Sequence, residues 1–499
     1  MKADMFTKLV SMVAGVLTMV SIVGCSMITE RETLVTPGNV IKSPADDRDY
    51  RYLTLGNGLK VLLISDADTD KSAAAVDVNV GSYQDPNNRL GLAHFLEHML
   101  FMGTEKYPDV DGYSEFIRAN GGGSNAYTAD VRTNYYFDIN SDQFEPALDR
   151  LAQFFIAPKL DPAYVEREKN AVDSEYRLHA REDGWRLFMA TNKTSNPEHP
   201  KSRFNIGSLH TLSNDDGQLW QSLKDFHSKY YVASNMSVVI YGKESLDTLE
   251  RWAKASFDAV PSGQHPDLHI GKAPYSQDQL QVRINMVPLK DTRVLSLSFP
   301  LPSTQEYYQL KPLGYLARIV GYEGKGSLHS YLKDRGWIDS LASYGSDLPG
   351  EYSEFSIRME LTPEGLKKVD EITAITFDYL DLIRKEGTHA KLYEESKRIA
   401  ELGFRFQEDR NPQQTVSSLA SRMHYLSAEH LLEANYLYEA YDPELILSYL
   451  NKMTPENLRQ IVIAQGLPTD KVEPYFETAY SIEKLPESLV NRLNSPSVI

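Results

Sequence analysis

Two stretches of the chain read alike, and they limit its fold more than any other feature. NYYFDINSDQFEPALDRLAQFF, starting at Asn134, and EFSIRMELTPEGLKKVDEITAITF, starting at Glu354, each give a strand followed by an amphipathic helix. The matching features lie about 220 residues apart, which predicts two copies of one α/β unit. In the first copy LKVLLIS (59–65), AAAVDVNV (73–80), NYYFDI (134–139) and MSVVIYG (236–242) read as strands. Long amphipathic stretches at 90–102, 112–120, 142–157 and 161–180 lie between them. In the second copy QVRINMV and RVLSLSF are strands, Pro312–Val320 is helical and Gly321–Gly326 is a turn. A helix at 327–335, a strand at 354–361 and a helix at 363–385 follow. Strands mixed with long helices favour α+β layers over a doubly wound sheet.

The chain has 499 residues, 41% of them hydrophobic and 24% charged, values that allow sizeable cores and exclude collagen-like, disordered and small disulfide-stapled folds. Asp and Glu outnumber Lys and Arg by 69 to 52, for a net charge of −17. That excess argues against nucleic acid or an anionic membrane surface as the main partner, since both need a basic face. A single cysteine excludes an intrachain disulfide and any four-cysteine zinc site. That cysteine, Cys25, closes an N-terminal segment with the layout of a secretory signal peptide: Lys2 and Lys8, an apolar stretch from Leu9 to Val23, then Gly24. The apolar stretch is shorter than the roughly 20 residues that a spanning helix needs. Ile22-Val23-Gly24-Cys25 resembles a bacterial lipobox, which implies a lipid on Cys25 as the first residue of the mature protein. Ser26 is similar to signals that send lipoproteins on to the outer membrane. The expected division is a signal peptide at 1–24, a tether at 25–48, a first unit at 49–260, a polar linker at 261–280 and a second unit at 281–480.

The chemistry centres on GLAHFLEHMLFMG (91–103), which lacks proline and is rich in helix formers. On a helix His94 and His98 stand at i and i+4, so they share a face and their rings can converge on one metal ion. Leu92, Phe95, Leu96, Met99 and Leu100 form the stripe that anchors this helix in the core. A catalytic zinc site takes three protein ligands and keeps one position open, so a third ligand must come from elsewhere. Glu97, on the border of the histidine face, is better used as the general base. The order H-x-x-E-H is the inverzincin motif. The competing reading is two hydrogen-bonded histidines and a surface glutamate on an amphipathic helix.

GLAHFLEHMLFMGTEKYP, YSEFIRANGGGSNAYTADVRTNYYF and EREKNAVDSEYRLHAREDGWRLF together closely resemble the pitrilysin and insulysin family of zinc metallopeptidases. The resemblance runs from about residue 50 through the first unit and more loosely to the C-terminus. It implies an α+β fold of two repeated domains, each an antiparallel-rich mixed sheet packed with helices, the pair forming one half of a clamshell. It implies one Zn2+ per chain, held by His94, His98 and Glu175, with Glu168 as a supporting carboxylate. A carboxylate on a second helix packed against the first agrees with a His₂Glu site that has one open position. His179, four residues after Glu175, competes for the same face.

Further expectations follow from the same resemblance. Asn125 and Ala126, with Tyr127 beside them, bind substrate on an edge strand through main-chain hydrogen bonds. Phe101 and Trp185 line a pocket beside the scissile bond. Glu97 assists water activated at the zinc to attack a peptide carbonyl, the expected activity of a metalloendopeptidase for oligopeptides, which the N-terminal segment would place in the bacterial periplasm, lipid-anchored to the outer membrane. In the second unit Pro312, Tyr315 and Leu316 stand opposite His94, Glu97 and His98, so that unit is expected to hold no metal. Its GYEGKGSL (321–328) resembles the family region that anchors a substrate's N-terminal end. Large single-chain members have four such domains. This chain resembles their first half, and residues 481–499 look like the start of a linker to a missing C-terminal half. The alternative function is therefore a peptide-binding subunit or truncated half, inactive until a second chain or a self-dimer supplies the rest.

Overall fold

The computed structural model describes residues 40–349, 352–407 and 411–497. The signal peptide, Cys25 and the tether up to residue 39 lie outside the described residues. Among the described residues no helix is long and apolar enough to cross a membrane.

The first unit runs β1 (Asp49–Thr54), β2 (Lys60–Ser65), β3 (Lys71–Val78), α1 (Leu92–Leu100), α2 (Gly112–Ala119), β4 (Gly123–Thr128) and β5 (Thr133–Asn140). It continues with α3 (Phe144–Ile156), α4 (Pro162–His179), α5 (Asp183–Lys193), α6 (Leu219–Tyr230), β6 (Met236–Gly242) and α7 (Leu246–Phe257). The second unit runs β7 (Val282–Met286), β8 (Val294–Pro302), α8 (Pro312–Val320), α9 (Leu328–Asp334), β9 (Ile338–Leu348), β10 (Tyr352–Leu361), α10 (Pro363–Leu366) and α11 (Val369–Glu386). After α12 (Ala390–Arg405), α13 (Pro412–Arg422) and α14 (Pro443–Leu450) come β11 (Arg459–Ile463), β12 (Lys471–Val472), β13 (Ala479–Lys484) and α15 (Glu487–Leu493).

The strand orders are β1-β2-β6-β3-β5-β4 and β12-β13-β7-β11-β8-β10-β9. Without β12 the two sheets correspond strand for strand. The correspondence includes the parallel pair in each, β2 with β6 and β7 with β11. The fold is thus α+β with two repeated, antiparallel-rich mixed sheets. One position is filled differently. β1 precedes its neighbour in the chain, whereas its counterpart β13 arrives from the far end to pair with β7. The boundary at 480/481 read from the sequence falls inside β13.

Side chains alternate across a strand, so each sheet has two faces to bury. One face of the first sheet packs Val61, Leu63, Ala74, Val76, Val238 and Ile240 against the stripe of α1 and against α3. The opposite face, Leu62, Ile64, Ala73, Ala75, Val239 and Tyr241, is covered by Val416, Leu419 and Ala420 of α13 and by Met423 and Leu431 after it. Reciprocally, Val282, Ile284, Val294, Ile461 and Ile463 of the second sheet are covered by Leu187 and Ala190 of α5. Each unit therefore lends a helix to the other.

Polar residues set the register of α13 on its borrowed sheet. Ser417 Oγ donates to Asn134 Oδ1 at 3.0 Å, Ser237 Oγ donates to the Ala420 carbonyl at 2.7 Å, and His424 Nε2 lies 2.9 Å from the buried Asp77. Burying one large aliphatic side chain is worth about 1.5–3 kcal/mol, so losing this cover leaves the first sheet with an exposed apolar face. Residues 40–260 expressed alone are expected to aggregate, and co-expression of 261–497 is expected to restore a soluble complex. In the full chain Leu419→Ala should lower unfolding stability by ~2–5 kcal/mol, read by denaturant titration.

Candidate metal centre

The helix that carries the histidines starts where no side chain can cap it. Its N-cap, Gly91, sits at φ 90, in the left-handed region that glycine tolerates. Asp85 reaches in instead and accepts from the Gly91 and Ala93 amides at 2.7 and 2.8 Å. A Cβ on Gly91 would stand 2.3 Å from the Cα of Gly207. The two glycines let these backbones meet, which brings the Ile206 carbonyl to 2.7 Å from His94 Nδ1. A carbonyl only accepts, so the proton sits on Nδ1 and Nε2 is left to bind metal.

The second helix supplies the carboxylates. Glu168 and Glu175 on α4 both face α1. His98 Nδ1 lies 3.5 Å from Glu168 Oε2, and His98 Nε2 lies 3.5 Å from Glu175 Oε2. His94 Nε2 is 3.7 Å from the same Glu175 oxygen. The two imidazoles meet edge to face, with centroids 4.9 Å apart. Among the described residues, His94, His98 and Glu175 form the group spaced to hold a metal, their donor atoms all within 4.8 Å of one another. Donors about 2.1 Å from a tetrahedral zinc lie about 3.4 Å apart, so the trio fits that ion. Glu168 then stands behind His98 Nδ1, with Arg167 Nε 3.3 Å from its other oxygen. His179, the competitor, faces the other side of Glu175: its Nε2 is 3.5 Å from Oε1, and its ring lies 4.5 Å from that of Trp185.

Charge explains the protonation of this cluster. The hydrogen bond with His98 holds the Glu175 carboxyl down to about 2, against burial and with help from the other two imidazoles. Burial opposes the charge on His98, but Glu168, Glu175 and Glu97 outweigh it and push that imidazole up to about 9. Burial raises Glu97 above the usual carboxylate range, although His94 and the Thr128 hydroxyl pull it back. Thr128 Oγ1 donates to Glu97 Oε2 at 2.6 Å, which leaves Oε1 available to a proton.

The cluster forms one wall of an open cleft of about 480 Å³. Phe101, Asn125, Ala126, Tyr127 and Trp185 line the same cleft. Phe101 also meets core rings edge to face, 5.0 Å from Phe154 and 5.8 Å from Tyr113. Asn125, Ala126 and Tyr127 lie on β4, which ends its sheet and pairs with β5 alone. The sequence reading missed three contributors. Thr128 was within reach, one residue past Tyr127. Ile206 acts through its carbonyl, which no side-chain pattern reveals. Asp85 caps from outside the helix, beyond any usual N-cap spacing.

Three family models match successive parts of the chain. Insulinase (peptidase family M16) covers 60–198, the peptidase M16 inactive domain covers 220–400, and the middle or third domain of peptidase M16 covers 404–498. Human insulin-degrading enzyme (Homo sapiens) is 41% identical over 460 residues, which are 91% of this chain and 45% of that relative. The crystal structure of pitrilysin superposes with a TM-score of 0.89 at 33% identity, over 91% of this chain and 49% of that one. The first half of the periplasmic protease PqqL from Escherichia coli shares the fold, with a TM-score of 0.69 at 16% identity over 86% of this chain and 93% of that one. The chain thus spans about half the length of the curated relatives it matches.

His94→Ala or Glu175→Gln should abolish zinc retention during dialysis against a mild chelator. In the metal-free chain His98 is protonated at neutral pH, so zinc capture should release about one proton, read by calorimetry in buffers of different ionisation enthalpy. Zinc affinity should accordingly rise with pH up to about 9. The sign for stability is opposite. The His98 contribution to the metal-free fold is complete below its ordinary 6.5 and is lost as pH rises through about 9.

Proposed function

Because the chain belongs to the insulinase and pitrilysin family, peptidase family M16, we propose that it is a zinc-dependent endopeptidase acting on oligopeptides. His94, His98 and Glu175 would hold one zinc ion, with Glu168 orienting His98. The observation that carries this reading is Glu97: a buried carboxylate, raised in pKa, on the helix of both histidines and bonded through one oxygen to Thr128.

Zinc, when bound, supplies Lewis-acid chemistry, acidifying water and polarising a peptide carbonyl. The rest falls to the chain. A carboxylate raised toward neutrality can both accept and return a proton. Glu97 takes the proton from the attacking water on Oε1 and delivers it to the leaving amine. Thr128 fixes Oε2 so that the carboxylate cannot rotate away. The unpaired edge of β4 offers main-chain groups to an extended peptide, with Asn125 and Ala126 as the contact residues and Tyr127 beside them. Phe101 and Trp185 give the cleft apolar surface next to the scissile bond. Edge pairing reads little sequence, so selection among peptides rests on such side-chain pockets.

Export and lipid attachment at Cys25 belong to the same proposal. They rest on the N-terminal sequence, and a periplasmic site of action is in keeping with the name of PqqL. A second reading stands beside it for a chain that spans 45% of human insulin-degrading enzyme. In that reading it captures peptides and cuts only with a second chain or a second copy of itself.

The test is cleavage of a mixed peptide library by the purified chain, with zinc quantified in the same sample. The unaltered chain should carry about one zinc, and Glu97→Gln should keep it while losing ~10²–10⁴-fold in turnover. A wild-type rate in Glu97→Gln would sink the mechanism. Full zinc without cleavage by the unaltered chain would select the second reading.

A further inference from the structure

One loop of the second unit reaches the scaffold of the metal centre. Residues 473–478 connect β12 to β13. The buried Glu473 carboxylate accepts from the amides of Tyr475 and Phe476 at 3.2 and 2.6 Å, closing the loop on its own side chain. The Glu473 amide donates to the Thr478 carbonyl and the Glu477 amide donates to the Glu473 carbonyl, both at 2.9 Å. Glu477 stands at φ 54, in the left-handed region that non-glycine residues rarely adopt. A buried carboxylate bonded inward and a residue held in that region make a stiff loop, one whose shape the surroundings over-determine.

Its tip touches three parts of the first unit. The Tyr475 ring lies flat on Phe204, 4.0 Å away and 8° from parallel. Phe204 stands two residues before Ile206, whose carbonyl orients His94. The Phe476 ring meets Tyr176 edge to face at 5.5 Å, and the Tyr176 hydroxyl donates to the Tyr475 carbonyl. Tyr176 directly follows Glu175. Arg186, directly after Trp185, donates to the Phe476 carbonyl and, at 3.1 Å, to that of Glu477. The loop thus grips the neighbours of one histidine's support, of the carboxylate ligand and of a cleft tryptophan.

We propose that Tyr475 and Phe476 are positioning residues for the metal centre. They clamp the Ile206 carbonyl against His94 and Glu175 against His98, so that metal affinity in the first unit depends on the second. This rests on His94, His98 and Glu175 being the zinc ligands. The other supports of the histidine helix, the Asp85 carboxylate on the Gly91 and Ala93 amides and the core stripe, lie within the first unit. Loss of the clamp therefore misdirects His94 and Glu175 without unseating the helix.

The test uses the full chain with zinc and cobalt. Zinc affinity is measured by chelator competition, and ligand geometry is read from the visible spectrum of the Co2+-loaded protein. Tyr475→Ala and Phe476→Ala should each lose about tenfold or more in zinc affinity, the scale of outer-sphere ligand support, and should alter the cobalt spectrum. Tyr475→Phe keeps the ring and the carbonyl and should match the unaltered chain. A purely structural role would lower unfolding temperature while leaving the folded fraction's zinc affinity and cobalt spectrum unchanged, and that result overturns the proposal. If the alanine variants do not fold, Tyr475→Leu keeps apolar bulk and removes the stack, and unchanged affinity there overturns it equally. If the unaltered chain binds no zinc, the metal reading falls and this proposal with it. If variants and unaltered chain bind equally, the clamp alone falls.

Discussion

Both sheets must hide both faces, and neither unit carries enough helix to do so. The first sheet takes α13 from the second unit's sequence, and the second takes α5 from the first's. This exchange turns two repeats into one body. It brings the fully buried Arg459 of β11 against the Thr194 carbonyl and hydroxyl at the end of α5, at 3.2 and 2.7 Å. It also places α5, with Trp185 at its start, between the second sheet and the cleft. The loop at 473–478 reaches the metal scaffold because α5 already binds the two units there.

The candidate centre is a problem in charge burial. Glu97 and Glu168 are buried and Glu175 is half-buried; Glu175 faces both imidazoles, Glu168 faces His98, and Glu97 sits between the two histidines on their helix. Carboxylates removed from water need a cation. In the metal-free chain the imidazolium of His98 supplies it, which is why that ring is held protonated and Glu175 ionised. A divalent ion supplies more charge at the same point and frees His98 to act as a neutral donor. The third carboxylate, Glu97, is bonded to Thr128, and burial raises it above the usual carboxylate range. Near-identical side chains are thus set apart by their neighbours, as the proposed roles of ligand, support and base require.

Several elements were legible because their signals are local. α1, α3, α4 and α8 appear with the lengths that their apolar periodicity predicts. Others were not. The helix read at 363–385 breaks at Lys367 into α10 and α11, because Gly365 packs so close to the Trp337 carbonyl that a Cβ would stand 1.8 Å away. β9 is largely exposed and mixed in character, so it carries no alternation of apolar residues to read. α13, PQQTVSSLASR, looks like a polar surface helix. It covers a sheet because its small serines and alanine allow close approach to a face that is itself part alanine.

The sequence by itself determined the repeat, the helix that carries His94 and His98, the place of Glu97 between them, and Glu168 and Glu175 two turns apart on a second helix. The repeat rests on a pattern that recurs, and the other placements rest on spacing within one helix, whose rotation turns that spacing into direction. Tertiary structure alone decided what those side chains meet. It set the Ile206 carbonyl against His94, the Thr128 hydroxyl against Glu97, and the second unit's loop against Phe204 and Tyr176. These contacts join residues from 31 to 299 positions apart on different elements, and two of them act through backbone carbonyls that every residue shares. No local pattern encodes them, and they exist only once both sheets are covered on both sides.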